Sequence, residues 1–355
     1  MTWTEDPRRV LTAGADFDLR TFDPGATPAF DGKKRDGEQL TAERGELLAE
    51  LQERLFAEGR AGGNRSVLCV VQGIDTAGKG GVARHVMGMV DPQGVQLRSF
   101  GVPTEEERSH HYLWRIRKAL PTPGHIGVFD RSHYEDVLVV RVDELVEESV
   151  WRPRYDEINA FERELVDQGT TVLKFALMVD RDEQGIRLME RLDRPDKRWK
   201  FSPGDLHTRS QWDDYQEAYA DVFRYTSTAY APWYVIPANH KWYARLAITE
   251  ILTRTLVDLR PNWPEADFDV AAMREQLARS MSDDALRESA EETKDAVRGA
   301  IDSSFDVREE AIELRGGGAR REREAEQQRD AWEAELEMTV EQKRGLLRAR
   351  GIELG

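Results

Sequence analysis

The sequence predicts an α/β chain, a three-layer α/β/α fold around a mostly parallel five-stranded sheet, followed by a helical C-terminal extension. Three observations carry this reading. Short, continuous apolar runs recur along residues 1–264 with helical patterns between them, which is how strands buried on both faces of a parallel sheet read. A glycine-rich stretch lies directly between the first run and a helical pattern. Beyond Pro264 no strand-like run occurs.

Taken in order, residues 37–59 read as one helix, because Leu40, Leu47, Leu48, Leu51 and Leu55 fall on a single helical stripe. The apolar run 66–72 is the first strand and 95–101 the second, followed by a helix over 105–119. Strands are expected again at 126–129, 170–179 and 234–237, the last leading into a helix over 240–259. Between the fourth and fifth strands, residues 193–231 form an insertion too polar at its start to be core. Residues 1–264 therefore read as one domain. Residues 265–355 are rich in Glu, Arg, Ala and Gln, with acidic residues in excess of basic ones. They read as a charged helical extension, coiled or partly disordered, divided by Gly316-Gly317-Gly318 and carrying strong helix formers over 320–347. No catalytic role is assigned to it.

Composition excludes several classes. The chain of 355 residues is 39% apolar and 33% charged, and it lacks the run of about 18 to 20 apolar residues that a membrane span needs. Residues 1–20 do not show the charged-then-apolar order of a secretion signal. The single cysteine, Cys69, sits inside an apolar run, as a small core residue of a reducing compartment does. A cytoplasmic protein without membrane contact is expected. The net charge of −16 argues against a nucleic-acid partner. It leaves room for an anionic substrate, since a local pocket of Arg and Lys can focus field inside an acidic protein.

The strongest local signal is Gly73-Ile74-Asp75-Thr76-Ala77-Gly78-Lys79-Gly80-Gly81. Gly, four residues, Gly and Lys between a strand and a helix is a Walker A loop, or P-loop. Its backbone N–H groups converge on phosphate oxygens and its lysine adds a mobile cation. Gly73, Thr76, Ala77, Gly78, Lys79, Gly80 and Gly81 are thus the expected phosphate cradle. Gly80 stands where Ser or Thr ordinarily holds Mg²⁺, and Asp75 inside the loop offers a carboxylate in its place.

Asp130 closes the third strand and Arg131 follows it. An aspartate at that position holds metal in P-loop enzymes, or else caps the next helix. Arg131 offers a planar fork to phosphate. His133 reads as structural, because phosphoryl transfer needs positioning and charge more than a base. Finally, Arg187, Arg191, Arg194, Lys197, Arg198 and Lys200 crowd around Trp199 at the start of the insertion. Such a run is either a solvated surface or a lid, here about 187–230, that closes over phosphates.

Together these elements resemble polyphosphate kinase family 2, over residues 17–263. The resemblance rests on residues 73–81, Ser99-Phe-Gly-Val-Pro-Thr104, Asp130-Arg-Ser-His-Tyr-Glu-Asp136, Arg191-Leu-Asp-Arg-Pro-Asp-Lys-Arg-Trp-Lys200 and Trp233-Tyr-Val-Ile-Pro-Ala-Asn239. It implies a thymidylate-kinase-like P-loop kinase fold and Mg²⁺-dependent, reversible phosphoryl transfer between inorganic polyphosphate and nucleotides. AMP and ADP would be acceptors, giving ADP and ATP. By the same resemblance Asp75 and Asp130 are the metal carboxylates. Lys79, Arg131 and Arg191 handle phosphates, joined by Lys197, Arg198 and Lys200 when the lid closes, with Arg194 as an additional cation. The His-Tyr-Glu-Asp continuation is similar to the branch accepting both AMP and ADP, some of which carry Asn in place of Asp130. A homo-oligomer, dimer or tetramer, is implied as well. The competing reading is an ATP-dependent nucleotide or small-molecule kinase of the same fold. Base selection is expected of residues 100–107 and 239–245.

Overall fold

Helix α1 (Lys34–Arg60) opens where Asp36 accepts from the Lys33 backbone N–H at 2.9 Å. Its buried face carries the five leucines of the stripe. Gly37 lies inside this helix rather than at its start. A Cβ there would sit 2.5 Å from the Trp242 ring, so the missing side chain is what admits that indole. The computed structural model describes residues 3–316 and 318–352.

Five strands follow in one all-parallel sheet: β1 (Ser66–Gln72), β2 (Val95–Ser99), β3 (Ile126–Asp130), β4 (Thr170–Met178) and β5 (Trp233–Pro237), in the order β2-β3-β1-β4-β5. Every residue of β1 and β5 is buried. Since successive side chains point to opposite faces, both faces of the sheet are covered, which is the three-layer arrangement. β2 departs from the buried-strand expectation. It is an edge strand, with Leu97, Arg98 and Ser99 exposed.

The connecting helices that matter below are α2 (Lys79–His85), α3 (Arg154–Asp167), α4 (Arg181–Asp193), α5 (Trp212–Thr226) and α6 (Lys241–Leu259). The helix expected over 105–119 is two short pieces, Glu105–Arg108 and Leu113–Arg117. Thr104 and Glu107 cap the first piece reciprocally, and the Ser109 hydroxyl donates to the Glu106 carbonyl at 2.7 Å and closes it. Ser and His, which follow, are weak helix formers. Among the described residues no helix is long and apolar enough to cross a membrane.

The chain divides into two compact units, 1–256 and 257–355, so the division falls within the last turn of α6. The second unit contains α7 (Val270–Ala278), α8 (Asp283–Leu314) and α9 (Ala319–Ala349). α8 and α9 form an antiparallel hairpin, tied by Arg329 to Asp302 at 3.0 Å, Arg308 to Gln328 at 3.0 Å and Lys343 to Ser289 at 2.8 Å. Ala278, Leu286, Ala290, Leu347 and Ile352 make one apolar cluster and Phe305, Ile312 and Ala325 another. Gly316 and Gly318 lie between the two helices; Gly317 falls outside the described residues.

Candidate active site

Val71 of β1 is in register with Asp130 of β3, so the loop after β1 and the end of β3 emerge side by side. This is the carboxyl edge of the sheet, where open α/β sheets bind ligands. The loop turns on strained backbone. Gly73 has φ +154°, Thr76 +71° and Gly78 +122°. A Cβ on Gly73 would lie 2.7 Å from the Leu177 carbonyl oxygen. Gly73→Ala is therefore expected to lower stability by about 1–3 kcal/mol, read as a fall in the urea midpoint.

Thr76 is β-branched, and a left-handed conformation there is a genuine outlier. Its hydroxyl is buried without a partner. Arg131, directly after β3, is a second outlier at φ +63°, with its backbone N–H donated to the Val71 carbonyl at 3.1 Å. Strain of this kind persists where the surroundings over-determine it, and clusters at functional sites.

Electrostatics lock the two strand ends together. Arg131 Nη2 donates to Asp75 Oδ1 at 3.0 Å, and Nη1 lies 3.5 Å from Glu135 Oε2. Burial pushes the Glu135 carboxyl up, against the pull of Arg131 and Lys79. Lys79 Nζ folds back onto the Gly73 and Ile74 carbonyls at 2.5 and 3.3 Å. Burial and neighbouring Arg131 lower its pKa. Asp130 is not a helix cap; Ser132 caps the short turn 133–136, accepting from Tyr134 N–H.

These residues line a cavity of about 780 Å³. Its wall carries nine Lys and Arg against four Asp and Glu, a strongly cationic concavity in an acidic chain. Gly78, Lys79, Gly80, Gly81, Thr76 and Ala77 contribute the loop, and Asp75, Asp130 and Arg131 the strand ends. Gly73, at the root of the loop, is buried and does not line the cavity. From the arginine-rich run, Arg187, Arg191, Lys197 and Lys200 line it, but Arg194 and Arg198 do not. Arg194 is held outside by Asp196 at 2.7 Å, and Arg198 Nε donates to the Leu192 carbonyl at 2.8 Å.

Among the described residues no group of three or more His, Cys, Asp or Glu could hold a metal unaided. Two carboxylates of the lining, Asp75 and Asp130, are nevertheless of the kind that suits Mg²⁺. That ion takes one or two protein carboxylates and completes its shell with water and substrate phosphates.

A family model described as polyphosphate kinase 2 matches residues 31–262. The chain belongs to the polyphosphate kinase 2 family. It is 51% identical over 251 residues to the AMP/ADP-polyphosphate phosphotransferase of Meiothermus ruber, covering 71% of this chain and 92% of that protein. It is 39% identical over 282 residues to the ADP-polyphosphate phosphotransferase of Rhodopseudomonas palustris, covering 75% and 96%. Among solved structures, polyphosphate kinase 2 from Arthrobacter aurescens superposes with a TM-score of 0.77 at 50% identity, over 79% of this chain and 99% of that one. The family match ends before α7, so the C-terminal helices lie outside it.

Two features of this polyphosphate kinase 2 site were not legible in the motifs. The first is a second cationic bank, Arg84 and His85 on α2 with Lys241 and Arg245 on α6. Burial lowers the pKa of Lys241, His85 and Arg245. Residues 239–245, expected to select the base, thus turn cations to the cavity. The second is Arg187, which is 4% exposed and is spent entirely on protein acceptors. It donates to the carbonyls of Thr76 and Ala77 at 3.0 Å each, to those of Ala238 and Asn239 at 2.6 and 3.0 Å, and to Glu183 at 2.6 Å.

Proposed function

We propose that this chain transfers the terminal phosphoryl group of inorganic polyphosphate to AMP or ADP, reversibly and with Mg²⁺. The observation that carries the reading is the cationic cavity with Asp75 and Asp130 in its lining, in a chain whose relatives bear polyphosphate phosphotransferase names. Even without the fully engaged Arg187, the eight remaining Lys and Arg of the lining are far more than one nucleotide triphosphate tail needs, and they suit a long polyanion. The bank formed by Arg84, Lys241 and Arg245 extends the phosphate path beyond the loop.

The acceptor phosphate is already an anion and needs no strong base, so alignment and charge stabilisation supply the catalysis. The loop 73–81 is the phosphate-binding P-loop. Lys79 exchanges its hold on the Gly73 carbonyl for phosphate oxygens, and Arg131 neutralises non-bridging oxygens while Asp75 and Glu135 keep its plane fixed. Asp75 and Asp130 would hold Mg²⁺, which would supply positive charge against the substrate phosphates. Residues 187–230 act as a lid. Arg191, Lys197 and Lys200, joined on closure by Arg194 and Arg198, bring cations over the donor and exclude water. A nucleotide-consuming reaction of this kind belongs in the cytoplasm, in a dimer or tetramer of the chain.

The test is a donor assay with AMP or ADP, polyphosphate or ATP, and products separated by chromatography with and without Mg²⁺. Polyphosphate-dependent, Mg²⁺-dependent formation of ADP or ATP is expected. Transfer from ATP alone would overturn the reading and leave an ATP-dependent kinase of the same fold.

The lid also carries a pH dependence. Arg191 Nη1 is bonded to Asp205 Oδ2 at 3.1 Å, and burial raises the Asp205 pKa above the ordinary carboxylate value. As pH falls, Asp205 is protonated before ordinary carboxylates are, and Arg191 is released for phosphate. KM for polyphosphate is expected to fall on acidification, and Asp205→Asn to lower it by about threefold at neutral pH, the order of one ion-pair energy. An unchanged KM in that variant would separate Arg191 from donor binding.

A further inference from the structure

Lys174 lies in β4, in the middle of the sheet, and is completely buried. Its neighbours in the strand are apolar. Moving an ammonium out of water is costly, and an apolar residue of similar volume would commonly be at least as stable. The ammonium is nevertheless fully satisfied. Its three donors go to Glu162 Oε2 on α3 at 2.6 Å, the Tyr134 hydroxyl at 2.9 Å and the Thr226 carbonyl at 2.7 Å.

Those three partners come from separate elements. Tyr134 belongs to the turn 133–136, directly after Asp130 and Arg131, and its hydroxyl also donates to Glu162 Oε1 at 2.7 Å. His133 Nε2 reaches the same oxygen at 3.4 Å. Ser132, which caps the turn, is bonded in turn to Gln72 at the end of β1, 3.2 Å away. Thr226 is the last residue of α5, the helix at the rear of the lid segment. Tyr215 in the first turn of α5 and Tyr219 at its middle are buried beside the Arg131–Glu135 charges.

We infer that the Lys174–Glu162–Tyr134 cluster is a positioning device for phosphoryl transfer. It ties the turn behind Asp130 and Arg131, and the fixed end of the lid helix, to one buried point. None of its members reaches the cavity, so they act through Asp130 and Arg131 rather than on substrate. Discrete, fully paired charges suit this task because their geometry has few alternatives. This inference rests on the polyphosphate transfer proposed above. The unsubstituted protein tests that reading in the donor assay, and only the comparison with variants tests the cluster.

Two variants make the test. Lys174→Met/Glu162→Gln removes both buried charges together, so no lone ion is left behind. Tyr134→Phe keeps the Lys174–Glu162 pair and its hold on Thr226 and removes both hydroxyl bonds to the turn, leaving it only the longer 3.4 Å contact of His133 with Glu162. Circular dichroism and thermal melting are read alongside steady-state kinetics with polyphosphate and ADP. In both variants kcat is expected to fall by about tenfold or more, as misplacement of reacting groups produces. KM for either substrate is expected to stay within about twofold, because binding contacts are intact. A folded variant with kcat within about twofold of the parent would overturn the inference, since a core filler moves melting and not turnover. A raised KM with unchanged kcat would overturn it equally. Should the double variant not fold, Tyr134→Phe alone decides.

Discussion

Asp75→Asn and Asp130→Asn are each expected to lower kcat by about 10²- to 10³-fold, the usual consequence of removing one preorganised electrostatic partner. Asparagine is nearly isosteric, and its side-chain oxygen can still accept from Arg131 Nη2, now 3.0 Å from Asp75. The strained loop and the close of β3 should therefore survive, and melting temperatures should stay near that of the parent. What disappears is negative charge on the wall facing the phosphates. Increasing Mg²⁺ should recover part of the activity if those carboxylates hold the ion, since a weakened site fills at higher concentration. Near-parental activity in either variant would refute the assignment of that residue.

A second large effect is expected at Arg187, of a different kind. Arg187→Met leaves four carbonyls and the Glu183 carboxylate without their shared donor. Loss of one partner from a buried charged cluster costs about 3–5 kcal/mol. Two of those carbonyls belong to Thr76 and Ala77 in the loop, and two to the residues that follow β5, so the damage spans both sides of the cavity. The urea midpoint should drop sharply and activity with it. Arg187→Lys should recover little, because one ammonium cannot reproduce a planar fork serving five acceptors. If instead the midpoint holds and only KM for polyphosphate rises, Arg187 is a lid cation after all.

That contrast shows what sequence can and cannot say here. Arg187 and Arg191 lie one turn apart on α4 and look alike in the sequence. Burial separates them, since one is sealed against carbonyls and the other keeps about a fifth of its side chain exposed, 22%, at the cavity. The loop 73–81 was legible because all its chemistry is local, and β1 because a strand buried on both faces leaves an unbroken apolar run. β2 was found by its run although it is an exposed edge. The broken helix at 105–119 was not, because its interruption depends on capping detail. Arg84, Lys241 and Arg245 carry no motif of their own. Only the fold, which brings α2 and α6 to one cavity, puts them together. His133, structural by its sequence context, is wholly buried against Glu162.

Cys69 sits in the centre of β1 with no exposed surface, and burial pushes its thiol up to about 12. As the chain has a single cysteine, nothing accessible competes for thiol-directed reagents in the folded state. A cysteine introduced at an outward position such as Ile186 or Leu206, both exposed on or beside α4, would accept one fluorophore or spin label stoichiometrically. Opening and closing of the arginine-rich segment could then be followed spectroscopically in an otherwise unaltered chain.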